Sequence, residues 1–217
     1  FTSIRGAVWF EIEFFGLAGH SGQSSHTLSA LSLARKAMDA LEKYQARLLS
    51  ESRGIPLFDE YENPMPLTFG RLEAGNWPAS APNTAVLAGV LGFLPNRDRG
   101  RIQAEMAEVL RDAGLRPSDF RLRFTYRHDC SILDAGHALP LTLLAAAEAA
   151  GSPLRVAAFP ASCDACYYSN FLGLPTVVYG PGDLKYAHSK DEQIRLAEIL
   201  DSATILAETV ARFCNAP

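Results

Sequence analysis

Between Gly6 and Phe15 the chain reads GAVWFEIEFF, with Val8, Phe10, Ile12 and Phe14 on one side and Trp9, Glu11 and Glu13 on the other. A period of two with one apolar side makes a strand that buries one face and wets the other. Gly16 ends it, and the period then changes. Leu31, Ala34, Met38, Leu41, Tyr44 and Leu48 recur at helical spacing, which predicts a long amphipathic helix to about Glu51. The proline-rich, acidic stretch 53–66 reads as a surface loop. Strands are expected at 67–73 and 84–93, with a turn through Gly75-Asn76-Trp77-Pro78 between them. A helix over 97–113, closed by Gly114, and an alternating strand over 120–126 complete the set. Strand, helix, strand, strand, helix, strand is the order of a split βαβ, or ferredoxin-like, sheet with two helices on one face.

From Asp134 the pattern differs. An alanine-rich helix over 137–150, a short strand over 154–158, a helix over 164–172, an apolar strand over 176–179 and a last helix to Phe213 suggest a parallel sheet covered on both faces. The fold class is therefore α/β, with two architectures in 217 residues, a length that suits one large or two small domains. The net charge of −4 argues against a nucleic-acid partner. No apolar run approaches the roughly 20 residues that span a bilayer, and no signal peptide precedes the first strand, so no membrane association and a cytoplasmic location are expected. The cysteines at 130, 163, 166 and 214 lack disulfide-framework spacing and are expected to be reduced.

Three motifs near the C-terminus suggest chemistry. Ser162-Cys163-Asp164-Ala165 is a polar turn that opens a helix. Gly180-Pro181-Gly182 follows an apolar strand. Ala187-His188-Ser189-Lys190-Asp191-Glu192 puts a histidine just ahead of a helix. Together they read as the rim of a site on an α/β scaffold. One histidine makes no catalytic centre by itself.

With Gly16-Leu17-Ala18-Gly19-His20-Ser21-Gly22 and Asn83 added, these motifs carry a resemblance over nearly the whole chain. In order and spacing the sequence resembles the dinuclear zinc aminoacylase and carboxypeptidase family, which includes acetylornithine deacetylase and succinyl-diaminopimelate desuccinylase. The resemblance implies a ferredoxin-like lid or dimerisation domain at 1–128, followed at 129–217 by the C-terminal part of an α/β zinc-peptidase-like catalytic domain. It implies hydrolysis of an N-acyl amino acid or small peptide-like amide, one or two zinc ions per intact subunit, and a homodimer paired through the lid.

His188 matches that family's last metal ligand. His20 matches a lid histidine that stabilises the oxyanion in the partner subunit's site, and His26 competes with it for the role. Asn83 matches a lid asparagine that holds substrate oxygen. Asp164 is implied as a substrate-site residue, although a carboxylate at a helix start is also favoured by the dipole alone. Gly180 and Gly182 are implied to approach substrate closely with their backbone.

The family's His-x-Asp and Glu-Glu motifs, which hold most of its metal ligands and its general base, do not occur in this sequence. With its start at Phe1, this leads to the expectation that the chain is the lid and C-terminal part of a longer enzyme, inactive without an N-terminal catalytic segment. The rival expectation is a non-catalytic dimerisation or binding module with the lid fold. Two positions depart from the family. Cys166 and Gly92 stand where many members place an arginine for the substrate carboxylate. Arg71, Arg97 and Arg127 are substitutes with no motif behind them. Cys163 and Cys166 form a Cys-x-x-Cys, but no second Cys or His pair accompanies it, so a zinc or redox site there is set aside.

Overall fold

The structure, a computed structural model, describes residues 1–215 except for the side chains of Tyr126 and Arg127. In chain order the elements are β1 (Ser3–Ile4), β2 (Gly6–Phe15), β3 (Gly19–His20), α1 (Ala30–Ser50), β4 (Leu67–Ala74), β5 (Ser80–Ala81), β6 (Thr84–Phe93), α2 (Arg99–Asp112), β7 (Phe120–His128), β8 (Ser131–Ile132), α3 (Ala138–Ala149), β9 (Ala158–Phe159), α4 (Ala165–Asn170) and α5 (Leu196–Cys214). They divide into two compact units. One comprises Arg5–Cys130 with Pro160–Cys163; the other comprises Phe1–Ile4, Ser131–Phe159 and Asp164–Pro217.

The first unit is built on a four-stranded antiparallel sheet in the order β4-β6-β2-β7, the ferredoxin-like arrangement. All ten residues of β2 pair with β6, from Gly6 opposite Phe93 to Phe15 opposite Thr84. The alternation in the sequence then decides the faces. Val8, Phe10, Ile12 and Phe14 are buried with Leu87, Leu91, Leu41, Leu48 and Met106, while Trp9 stays exposed. Burying each such large side chain contributes about 2 to 3 kcal/mol.

Two helices supply the other wall of this core. Ser29 opens α1 by accepting the Ser32 N–H, and Asp98 opens α2 by accepting the Arg101 N–H at 2.7 Å. The apolar stripe of α1 is rotated from the expected one. Leu33 and Ala37 are buried and Leu31 is exposed, so the stripe runs Ala30, Leu33, Ala34, Ala37, Leu41, Tyr44, Leu48. In α2, Ile102, Met106 and Leu110 face inward, and Gly114 in the left-handed region ends the helix. The stretch 53–66 is more than a surface loop, because Phe58 and Met65 are fully buried and pin it to the core. Gln45 donates to the Met65 carbonyl at 2.9 Å.

The second unit departs further from the expectation. Its sheet is three short strands, β8-β1-β9, antiparallel on one side and parallel on the other. Of the strand expected over 154–158 only Ala158 enters the ladder, and residues 176–179 form no strand. The reason is the lack of neighbours. Val178 exchanges its backbone hydrogen bonds with Phe1 (2.8 and 3.0 Å), and no longer strand lies alongside among the described residues. A small core of Leu143, Ala146, Ala147 and Ile205 joins α3 to α5, with Val177 and Tyr179 packed against it.

The end of β2 offers a direct test of the first unit. Gly16 donates to the Asn83 carbonyl at 2.7 Å, and a Cβ there would overlap the Leu28 carbonyl oxygen and come to 2.8 Å from the Ala30 nitrogen. Both atoms are backbone and cannot turn aside. Gly16→Ala is expected to destabilise the chain by about 3 kcal/mol in urea denaturation. Gly70→Ala, where a Cβ would meet nothing within 4 Å, is expected to cost less than about 1 kcal/mol.

Candidate functional site

His20 lies where the chain leaves the sheet. β3 pairs with β5, His20 opposite Ser80, and the Ser21 N–H donates to the Ala79 carbonyl at 2.9 Å. Residues 21–26 then make a short 3-10 turn, which His20 caps by accepting the Gly22 N–H at Nδ1 (3.1 Å). This bond selects a tautomer, since a neutral imidazole that accepts at Nδ1 carries its proton on Nε2. His20 is exposed, so Nε2 is a donor available to a ligand. His26, also exposed, ends the same turn.

Asn83 is brought to the same corner. It follows β5 by two residues, its carbonyl accepts the Gly16 N–H, and its neighbour Pro82 accepts from Ala30 (2.8 Å). Asn83, with Ala18, Asn76 and Ser80, lines a shallow recess of about 300 Å³. The ladder between β3 and β5 thus pairs His20 with Ser80, three residues ahead of Asn83, on one unit.

In the other unit the Gly180-Pro181-Gly182 loop borders a cavity of about 580 Å³, shared with Phe1, Phe159, Tyr186 and Ile194. Gly182 adopts φ +91°, a conformation that favours glycine. Its N–H is engaged, donating to Glu198 Oε2 at 3.1 Å.

His188 follows in a tight turn with φ +59°, in the left-handed region that non-glycine residues seldom occupy. Its N–H donates to Glu192 Oε2 at 3.1 Å, and Ser189 Oγ donates to the Tyr186 carbonyl at 2.7 Å. The imidazole is exposed, without a hydrogen-bond partner among the described residues. Strained backbone that presents an unengaged functional group is a pattern of binding sites.

Asp164 sits at the start of α4 with helical backbone angles and makes no capping bond to that helix. Helix capping therefore does not account for it. Cys166 is buried at 1% exposure and Cys163 half-buried; neither forms a disulfide. Among the described residues no group of three or more His, Cys, Asp or Glu side chains is arranged to hold a metal ion. His188 is thus a single candidate ligand, and the described residues do not by themselves fit a zinc ion, which takes three or four protein ligands. No helix among the described residues is long and apolar enough to cross a membrane.

Two features lay outside the sequence reading. His128, buried at the end of β7, has Nδ1 within 3.1 Å of Ser162 Oγ, which ties the first residue of the Ser-Cys-Asp-Ala motif to the sheet. Arg5 is the other. It is half-buried, and its Nε donates to the Pro160 carbonyl at 2.6 Å. Only the bare Cα of Gly92 hints at it in the sequence.

Residues 2–116 match the model of the peptidase dimerisation domain, M20_dimer, and the chain belongs to that family. Its relatives are hydrolases. An acetylornithine deacetylase of Myxococcus xanthus is 24% identical over 97% of this chain and 54% of its own length. A protein described as a LysW-lysine/LysW-ornithine hydrolase, from Aeropyrum pernix, is 27% identical over 97% of this chain and 53% of its own length. The chain spans about half the length of the curated relatives it matches. Among solved structures, the dipeptidase Dug1p of Saccharomyces cerevisiae superposes with a TM-score of 0.75 at 12% identity, over 100% of this chain and 56% of that one. A tripeptidase of Staphylococcus aureus gives 0.71 at 16% identity, over 96% and 52%. At these identities the superpositions establish the α/β fold.

The left-handed turn at His188 yields a prediction. His188→Gly removes the side-chain penalty at that φ and is expected to stabilise the chain by about 1 kcal/mol at neutral pH. His188→Ala, which keeps the penalty, is expected not to. Thermal or urea unfolding of the two variants measures the difference.

Proposed function

We propose that this chain provides the lid and dimerisation domain, residues 1–128, and a C-terminal catalytic segment, residues 129–217, of a zinc-dependent amidohydrolase. Its substrate class is an N-acyl amino acid or small peptide-like amide, as the name of the acetylornithine deacetylase relative suggests. The observation that carries the reading is His20. Its Nδ1 is held by the Gly22 N–H, which leaves Nε2–H as a donor fixed in direction for the oxyanion of an acyl-transfer intermediate.

Within this reading Asn83 binds substrate oxygen, and Asp164, Gly180 and Gly182 are substrate-site residues. His188 contributes one metal ligand, and the remaining ligands come from outside the described residues. Zinc, when bound, lowers the pKa of water and polarises the amide carbonyl. The lid pairs two subunits so that His20 of each serves the other.

Two measurements test this. In the intact enzyme, His20→Ala is expected to lower kcat on N-acyl amino acids about 100-fold to 1000-fold with a smaller change in KM. A kcat within about threefold of wild type contradicts the oxyanion role. The 217-residue chain given zinc alone is expected to show no turnover, since one positioned histidine does not make a catalytic zinc site. Hydrolysis by that polypeptide would show instead that the chain completes its own site. An intact enzyme inert to every N-acyl amino acid would favour a non-catalytic binding module.

A further inference from the structure

The arginines that the sequence offered for a substrate carboxylate are already engaged. Arg71 pairs with Glu11 at 2.8 Å and Glu73 at 3.6 Å. Arg97 pairs with Glu51 at 2.8 Å and also donates to Ser52 Oγ. The Arg127 side chain lies outside the described residues. Arg5 is in a different state. Burial lowers its pKa to about 10, and no carboxylate faces it among the described residues. The other ionisable group acting on it is the Cys130 thiol. Its guanidinium reaches two backbone carbonyls, Pro160 at 2.6 Å and Gly6 at 3.5 Å, and both are neutral. Nη2 has no acceptor among the described residues.

The position of the Arg5 side chain connects it to the departure at Gly92. In the β2–β6 register Ala7 stands opposite Gly92, so Arg5, just ahead of β2, can fold back over that glycine. A Cβ on residue 92 would overlap Arg5 Nη1 and approach Cζ to 3.0 Å. The space that a side chain at 92 would enter is filled by the Arg5 guanidinium. A partly desolvated guanidinium whose contacts are neutral carbonyls retains its charge uncompensated and its Nη2 donors unfilled. A carboxylate supplies both the charge and two coplanar acceptors.

We propose that Arg5 is the carboxylate-binding residue of this chain, its guanidinium reaching over Gly92 from just ahead of β2 to grip the substrate's carboxylate. The assignment rests on the proposed function for the identity of the ligand. Its test is a binding measurement that needs no turnover. The 217-residue chain, labelled at arginine, is titrated to tens of millimolar with N-acetylglycine and, separately, with N-acetylglycinamide, which keeps the acyl amide and lacks the carboxylate. N-acetylglycine is expected to move the Arg5 Nε–Hε resonance saturably, and the amide is not. Arg5→Met is expected to weaken N-acetylglycine binding about 10-fold to 100-fold. Adding Gly92→Arg to that variant, which returns the charge to the same space from the other strand, is expected to recover most of it.

An equal response to both probes, no saturable response, or unchanged affinity in folded Arg5→Met overturns the assignment. So does failure of a folded double variant to recover any binding. If Arg5→Met does not fold, Gly92→Ala carries the test, since it displaces the guanidinium and keeps Arg5. Loss of carboxylate selectivity with the melting temperature retained supports the role, and undiminished selectivity overturns it. A chain that binds through Arg5 while the intact enzyme hydrolyses nothing refutes the proposed function and leaves this assignment in place.

Discussion

The pairing of β2 along its full length with β6 is the constraint on which the rest of the first unit depends. Ten consecutive residues are matched, and the other edge of β2 is matched to β7 with one irregularity between Trp9 and Phe10. Side chains alternate across a sheet, so a slip of one residue would send Trp9, Glu11 and Glu13 into the core and Phe10, Ile12 and Phe14 into water. The same register puts Gly92 under Arg5 and brings the Gly16 turn against Asn83. Both the His20 corner and the arginine are therefore consequences of a strand pairing that the apolar core fixes.

The wet face of that sheet is organised as well. Glu11 meets Arg71 at 2.8 Å and Arg123 at 2.5 Å, while Glu13 meets Arg123 at 2.8 Å and Arg121 at 3.1 Å. Pairs this exposed each contribute little, typically under about 1 kcal/mol. As a lattice across β4, β2 and β7 they make the face costly to bury, because a partner would have to desolvate every charge in it. Among the described residues the outer strands β4 and β7 each pair with one neighbour only, so the open backbone of this sheet lies at its edges.

The first unit was legible because its signals are local. The alternation of residues 6–15, the cap at Gly114, and the β-α-β-β-α-β order each depend on neighbours in the chain. The phase of α1 was harder, since Leu31 and Leu33 are both apolar and only the packed sheet decides which is buried. Residues 154–158 and 176–179 have the composition of strands, yet strands form only with partners, and composition does not reveal those. Asn83 and His20 were each singled out by their motifs, while the pairing of His20 with Ser80, three residues ahead of Asn83, is a property of the β3–β5 ladder. Arg5 was missed because a charge beside a strand end looks ordinary. Its significance comes from a glycine 87 positions away that leaves it room.

Under the proposed function His20 of one subunit acts together with His188 of the partner subunit. Mixed dimers of the intact enzyme test that link most directly, one chain carrying His20→Ala and the other His188→Ala. If His20 acts across the dimer, each homodimer is inactive, but every heterodimer contains one site with both histidines. Random pairing then restores about a quarter of wild-type activity. Activity of the mixture no greater than that of either inactive parent, with heterodimers demonstrated by mass, would contradict the account.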